Sequence, residues 1–138
     1  MSRVFHQCYY HLVWSTKERE PVLSEAIRQE LPQLIRARCK ELGCVLHAVG
    51  AVEDHVHVAL EIPLSEPVAT VVGKLKGGSS HDLNERRVDS IYWQRGYGIV
   101  TFRQGDLRKV MEYVSTQEER HRSGTVSEML ERSEVAEE

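Results

Sequence analysis

The chain has 138 residues, a length typical of one domain, and its 41% hydrophobic and 28% charged residues are ordinary for a globular protein. No stretch is apolar for long enough to span a membrane, and no signal-peptide core follows the N-terminus. We therefore expect neither a membrane protein nor a secreted one. Three scattered cysteines, an odd number, favour a reducing cytoplasm over a disulfide framework.

The formal net charge is −3, and the acidic excess lies at the C-terminus. Residues 122–138 hold two arginines and five glutamates, which leaves 16 basic and 16 acidic side chains in the rest of the chain. Global charge therefore gives no support to nucleic-acid binding, although a local basic face would permit it. We predict one domain over residues 1–122 and an acidic tail over 123–138 that forms at most a marginal helix.

The first half of the chain predicts a strand, a helix and a second strand. Residues 3–14 alternate and are rich in aromatic and β-branched side chains, which is typical of a strand. Ser24 is a good N-cap for a helix that ends at Gly43. Pro32 lies inside that helix and is expected to kink it or to delay its start. Residues 44–52 predict the second strand, followed by a hairpin turn at residues 53–54.

The third predicted strand carries two histidines on one face. Its apolar positions alternate with polar ones, and the core face is predicted to hold Val56, Val58, Leu60 and Ile62. His55 and His57 share the other face, and strand residues two apart lie roughly 6.5–7 Å apart, so both imidazoles can reach one ion. A half-exposed strand that happens to carry two histidines is the alternative.

The second half predicts two more helices and a fourth strand. Ser65 is expected to cap a helix over residues 68–83, and a polar loop over 86–96 leads into a strand over 97–102. Asp106 is expected to cap a third helix that continues to about His121. The order β-α-β-β-α-β-α predicts an α+β, ferredoxin-like antiparallel sheet, with the last helix available to cover its open face.

Two polar residues lie beside the apolar stripe of the third helix. The stripe follows the spacing i, i+3, i+4 and i+7: Leu107, Val110, Met111 and Val114. Tyr113 and Gln117 are four residues apart and therefore stack on one face, rotated from the centre of the stripe. We expect both at the margin of the buried surface, where a tyrosine ring packs and its hydroxyl meets water.

The His pair, the Tyr113–Gln117 turn and the segments between them resemble the single-tyrosine HUH transposases of small insertion sequences. The resemblance covers nearly the whole chain, from about Tyr10 to Gln117. The segments that carry it are YYHLVWSTKERE (9–20), VEDHVHVAL (52–60), KLKGGSSHDL (74–83), YWQRGYGIVTF (92–102) and EYVSTQ (112–117).

The resemblance implies a role for each matching residue. His55 and His57 match the HUH metal ligands, Gln117 matches the third ligand, and Tyr113 matches the nucleophile. It also implies single-stranded DNA folded into hairpins as the substrate, and a homodimer in which one chain's tyrosine helix can serve the other chain's His pair. The expected reaction is a metal-dependent cut that leaves a 5′-phosphotyrosine link and a free 3′-hydroxyl.

The expected cofactor is a divalent metal, Mg²⁺ or Mn²⁺. A tyrosine has a solution pKa near 10 and is a poor nucleophile at neutral pH, so a cation on the scissile phosphate is needed to withdraw charge and orient the phosphorus. Two imidazoles are softer ligands than Mg²⁺ prefers and suit Mn²⁺ better.

Several basic residues and one tryptophan are candidate DNA contacts, although each alone is also compatible with a surface or core role. They are Lys17, Arg19, Lys74, Lys76, Arg86, Arg87, Trp93 and Arg95.

Two alternatives concern other residues, and a third concerns the function. A zinc site at Cys39, Cys44 and His47 lacks a fourth ligand, and burial of the cysteines is the simpler reading. Tyr92 and Tyr97 are rival nucleophiles. The alternative function is a non-catalytic protein that binds nucleic-acid hairpins on the same fold.

Overall fold

The computed structural model describes residues 4–85 and 90–133. Within them the strands are β1 (Tyr9–Ser15), β2 (Val45–Ala51), β3 (His55–Glu61) and β4 (Gly98–Phe102). The α-helices are α1 (Glu25–Leu42), α2 (Val68–Asn84), α3 (Leu107–Ser115), α4 (Gln117–Ser123) and α5 (Glu128–Glu131). No helix in this part of the chain is long and apolar enough to cross a membrane.

The four strands form one antiparallel sheet in the order β2-β3-β1-β4. This order confirms the predicted α+β, ferredoxin-like fold. Strand β3 lies inside the sheet, so His57 has neighbours on both sides: Val13 on β1 and Gly50 on β2. The His pair is therefore carried by a strand that is fixed along both edges.

The alternation of β3 separates two buried layers. Its core-facing residues, with Ile62 just after the strand, pack with α1 and α2 in the main hydrophobic cluster, as predicted: Val56, Val58 and Leu60. On the opposite face, Ala59 packs with Val110 and Val114 of α3 in a second, smaller cluster. Helix α3 thus covers the face that carries the histidines, and it brings its own side chains to them.

Helix α1 starts and stops where its sequence predicts. The Ser24 side chain accepts a hydrogen bond from the Ile27 N–H at 3.4 Å, and Gly43 ends the helix with a left-handed φ of 75°. Pro32 lies inside the helix, which nevertheless begins at Glu25, so the proline does not delay its start.

Two predicted helix boundaries are wrong. Ser65 does not cap α2, because the chain is still turning there: the Glu66 N–H donates to the Pro63 carbonyl at 3.1 Å, and α2 begins only after Pro67. The third helix does not continue unbroken to His121. It breaks at Thr116, whose φ of −112° is not helical and whose hydroxyl donates to the Glu112 carbonyl at 2.7 Å.

Gly50 lets α3 lie directly against β2. A Cβ atom at Gly50 would fall 1.7 Å from the Val114 carbonyl oxygen, a backbone atom that cannot rotate away. We expect Gly50→Ala to destabilise the fold by about 1–3 kcal/mol, the usual cost of overpacking, and to displace the tyrosine-bearing helix. Urea denaturation measures the change.

Gly73→Ala is the matched control for that substitution. Gly73 lies in α2 with nothing within 4 Å of its added Cβ. The same change there should stabilise the protein by about 0.5–1 kcal/mol through helix propensity. A Gly50→Ala protein as stable as the unaltered chain would show that α3 is not held against β2.

Candidate active site

The two histidines of β3 converge on one point. His55 and His57 are buried, with 3% and 0% of their surface exposed, and their ring centroids lie 5.0 Å apart. The Nε2 atoms of both rings face a single oxygen, Oε1 of Glu131, at 2.8 Å from His55 and 3.1 Å from His57. The arrangement gives two imidazole nitrogens a common target, as a metal site requires.

Each of these rings also has a hydrogen-bonding partner at its Nδ1 atom. Nδ1 of His55 lies 2.7 Å from Asp54 Oδ1, and Nδ1 of His57 lies 2.8 Å from His11 Nε2. Burial, followed by the neighbouring His57, lowers the pKa of His11 to about 3, so His11 stays neutral. Such partners fix ring orientation and leave Nε2 available to a ligand.

Helix α3 places Tyr113 beside the His pair. Its ring centroid lies 5.9 Å from that of His57, and its hydroxyl donates to Glu131 Oε2 while accepting from the Ser127 N–H at 2.8 Å. Burial, together with the adjacent Glu131 carboxylate, raises the pKa of Tyr113 to about 12. The predicted position at the margin of the buried surface is wrong, because only 6% of Tyr113 is exposed. The Arg120 guanidinium lies over its ring, and Ser127 and Glu131 enclose its hydroxyl.

Gln117 is also buried, with 1% of its surface exposed. Its side-chain Nε2 donates to the Tyr113 carbonyl at 2.9 Å, and its Oε1 lies 3.1 Å from His121 Nε2, from which it can accept. The Gln117 Oε1 atom, the predicted metal ligand, therefore contacts His121, which in turn contacts Glu131. Its role as a third metal ligand stays a prediction.

The sequence predicted no role for Glu131, and it predicted His121 at the surface or as a group that supports the ligands. His121 Nε2 lies 2.9 Å from Glu131 Oε1, which thus faces three imidazoles. Burial alone would raise the pKa of the Glu131 carboxyl, but hydrogen bonds from His55, His57 and Tyr113 outweigh it and hold that pKa well below its usual range. The i, i+4 step from Gln117 was a signal for His121; no local signal pointed to Glu131.

The cluster His55, His57, His121 and Glu131 fits a divalent metal. One ligand atom from each residue lies within 4.8 Å of the others. Imidazole nitrogen and carboxylate oxygen are common ligands of Zn²⁺ and Mn²⁺. The donor set, in which the two strand histidines are buried, therefore agrees with the metal that the HUH pattern implies.

Four of the candidate DNA contacts keep their charge near the surface. Lys17, Lys74 and Arg95 are exposed, and Arg19 pairs with Asp54 at 3.4 Å, beside the His strand. Arg19 is thus linked to the site, because the same Asp54 side chain holds His55. Arg86 and Arg87 lie outside the described residues.

The two remaining candidates have partners inside the fold. Lys76 Nζ donates to the carbonyls of Gln94 and Gly96 at 2.7 and 2.8 Å. The Trp93 ring packs edge-on against Trp14, and its Nε1–H donates to the Lys76 carbonyl at 2.9 Å. Their contacts with DNA stay predictions, and both also hold the loop after α2.

The rival readings gain little from the structure. Cys39 and Cys44 are buried free thiols, while His47 Nε2 pairs with Glu61 at 2.8 Å. Tyr92 is 63% exposed, and Tyr97 packs against the main hydrophobic cluster.

Comparison with known proteins agrees with this geometry. The family model described as "Transposase IS200 like" matches residues 4–117. The transposase of insertion sequence element IS200 from Salmonella typhimurium is 28% identical over 124 residues, covering 85% of this chain and 81% of its own. The corresponding transposase from Salmonella typhi matches equally.

Two solved structures share the fold. A Deinococcus radiodurans R1 protein assigned as a transposase has a TM-score of 0.69 and 22% identity, covering 83% of this chain and 93% of its own. A REP-associated tyrosine transposase bound to a REP hairpin has a TM-score of 0.64 and 16% identity, covering 88% of this chain and 73% of its own. Since the family model spans most of the sequence, the chain belongs to the family of IS200-like transposases and is a transposase.

Proposed function

We propose that this transposase cuts and rejoins single-stranded DNA at the ends of an insertion sequence, with Tyr113 as the nucleophile. The observation that carries the proposal is the shared carboxylate of Glu131. One of its oxygens faces His55 and His57, and the other accepts from the Tyr113 hydroxyl. A scissile phosphate bound in place of this carboxylate would lie beside the nitrogens that would hold the metal and beside the Tyr113 hydroxyl.

The reaction exchanges one phosphodiester for another. The Tyr113 oxygen forms a bond to phosphorus, the bond to the DNA 3′-oxygen breaks, and the proton lost by tyrosine is balanced by one gained at the 3′-hydroxyl. A bound divalent cation supplies charge neutralisation on the phosphate oxygens. The phosphotyrosine link keeps the bond energy, so a second 3′-hydroxyl can reverse the step and join new strands.

The residues around the site position these groups. Asp54 and His11 hold the two imidazoles through their Nδ1 atoms, and helix α3 holds Tyr113 against the His57 ring. These contacts preorganise the attack geometry, which is the main contribution a protein makes to phosphoryl transfer. The His pair suits Mn²⁺ better than Mg²⁺.

Hairpin recognition and dimer formation belong to the same proposal. The solved tyrosine transposase holds a REP hairpin, which supports a hairpin-forming single strand as the substrate here. In this chain Tyr113 meets the His pair of its own chain. We propose a homodimer in which that helix can also serve a partner's His pair.

The test is a denaturing gel of the protein with end-labelled single strands that cover both flanks of its own gene. We expect a covalent protein–DNA band in Mn²⁺ or Mg²⁺ that disappears when EDTA removes the metal. Hairpin binding in a native gel without any covalent band would instead support the non-catalytic alternative. No binding to either flank would contradict both functions.

A further inference from the structure

We propose that Glu131 and His121 are metal ligands: with His55 and His57 they form a closed site of three histidines and one carboxylate that holds a divalent cation in the DNA-free chain. The inference rests on the proposed function in assuming that the metal sits at the His pair. It adds two ligands from the C-terminal half of the chain, and it gives residues 127–131 a role in the site.

The three imidazole nitrogens already surround one position, which Glu131 Oε1 occupies at 2.8, 3.1 and 2.9 Å from the Nε2 atoms of His55, His57 and His121. One ligand atom from each of the four residues lies within 4.8 Å of the others. A tetrahedral centre with bonds of about 2.0–2.1 Å would hold its ligand atoms about 3.3 Å apart. Admitting an ion therefore requires Glu131 Oε1 to withdraw from between the nitrogens and to face them across the ion.

The segment that delivers Glu131 is built into the fold. A Cβ atom at Gly98 would fall 1.8 Å from the Arg132 carbonyl oxygen, so β4 has a glycine where the segment crosses it. The Ser127 hydroxyl accepts from the Leu130 N–H at 3.4 Å and caps α5, while the Ser127 N–H donates to the Tyr113 hydroxyl. Three separate contacts thus aim one carboxylate, whose side chain is 16% exposed, at the His pair.

The same carboxylate stands where the substrate must bind. Its Oε2 holds the Tyr113 hydroxyl, so Glu131 lies between the nucleophile and the two strand histidines. Two anions cannot share that position without strong repulsion. DNA entry must therefore draw Glu131 off the tyrosine, and the phosphate takes the coordination position that the carboxylate leaves.

The test measures Mn²⁺ affinity of the full DNA-free chain, with free Mn²⁺ followed by electron paramagnetic resonance. We expect Glu131→Gln to weaken Mn²⁺ binding by about tenfold or more, at least the effect of losing an outer-sphere partner. Glu128→Gln is the matched control, because it removes the same charge from the same helix. Glu128 is exposed and pairs only loosely with Arg132, at 3.6 Å, so its variant should bind Mn²⁺ normally.

Unchanged Mn²⁺ affinity in Glu131→Gln, or equal losses in both variants, would overturn the assignment, and so would an unaltered chain that binds no Mn²⁺. If Glu131→Gln does not fold, His121→Asn decides by the same titration and the same tenfold criterion. The covalent-adduct assay separates this inference from the proposed function. If the unaltered chain forms the adduct and Glu131→Gln keeps its Mn²⁺ affinity, the inference alone is rejected. If Glu131→Gln loses Mn²⁺ affinity but the unaltered chain forms no adduct, the function alone is rejected.

Discussion

Replacing Tyr113 with phenylalanine is expected to reduce the covalent protein–DNA adduct to background, a loss of more than about 10⁴-fold, on the scale seen when a nucleophile is removed. Phenylalanine keeps the ring that packs against His57 and beneath the Arg120 guanidinium, which lies 4.8 Å from the ring centroid. Only the hydroxyl and its bonds to Glu131 and Ser127 are lost. A denaturing gel with labelled single-stranded DNA and Mn²⁺ measures the adduct.

Tyr92→Phe is the control for that experiment. Tyr92 is exposed, so its variant should form the adduct at the normal rate. Hairpin binding in a native gel should survive in both variants, because the ring contacts that hold helix α3 in place are kept. An adduct that persists in Tyr113→Phe would show that another residue is the nucleophile.

Strand β3, which carries the His pair, could be predicted because its hydrophobic pattern is local. Alternation along residues 55–62 separates core from site without any knowledge of the remaining chain, since strand side chains alternate with a period of two. The ferredoxin-like sheet and a third helix available to cover its open face were predicted from the order of the elements, which restricts a chain of this size to few topologies. The structure confirms both.

The burial of the site could not be predicted in the same way. Tyr113 sits at the edge of its helix stripe, and its burial depends on residues further along the chain. Arg120 lies over its ring, and Ser127 and Glu131 bind its hydroxyl. The apolar residues in and beside the segment 127–131 do not form a buried stripe: Met129 is 66% exposed and Val126 is 41% exposed. Polar contacts of Glu131 and Ser127 hold this segment, and hydrophobic periodicity carries no information about such contacts.

The break at Thr116 has a similar origin. Helix propensity over residues 107–121 favours one continuous helix, and the competing hydrogen bond from the Thr116 hydroxyl to Glu112 is not visible in a hydrophobic pattern. The break still leaves Gln117 bonded to the Tyr113 carbonyl. Local sequence patterns thus identified Tyr113 and Gln117 but did not predict the helix break at Thr116 that lies between them.

Replacing His57 with alanine is expected to abolish metal-dependent cleavage, because the site loses the ring that lies deepest, between His11 and Glu131. The covalent adduct should fall to background at every Mn²⁺ concentration, and Mn²⁺ binding should fall with it. His81→Ala is the matched control, since His81 lies exposed on α2 and pairs with Glu85 at 3.1 Å.

His55→Ala separates metal loss from general disruption. His55 is anchored by Asp54 at the start of β3, whereas His57 lies mid-strand, so the two substitutions damage the fold differently while removing the same kind of ligand. Equal loss of cleavage in both variants, with urea denaturation showing unequal stability, would place the defect at the metal. Unchanged cleavage in both would rule out a metal site at the His pair, and Tyr113 would then need another means of neutralising the phosphate.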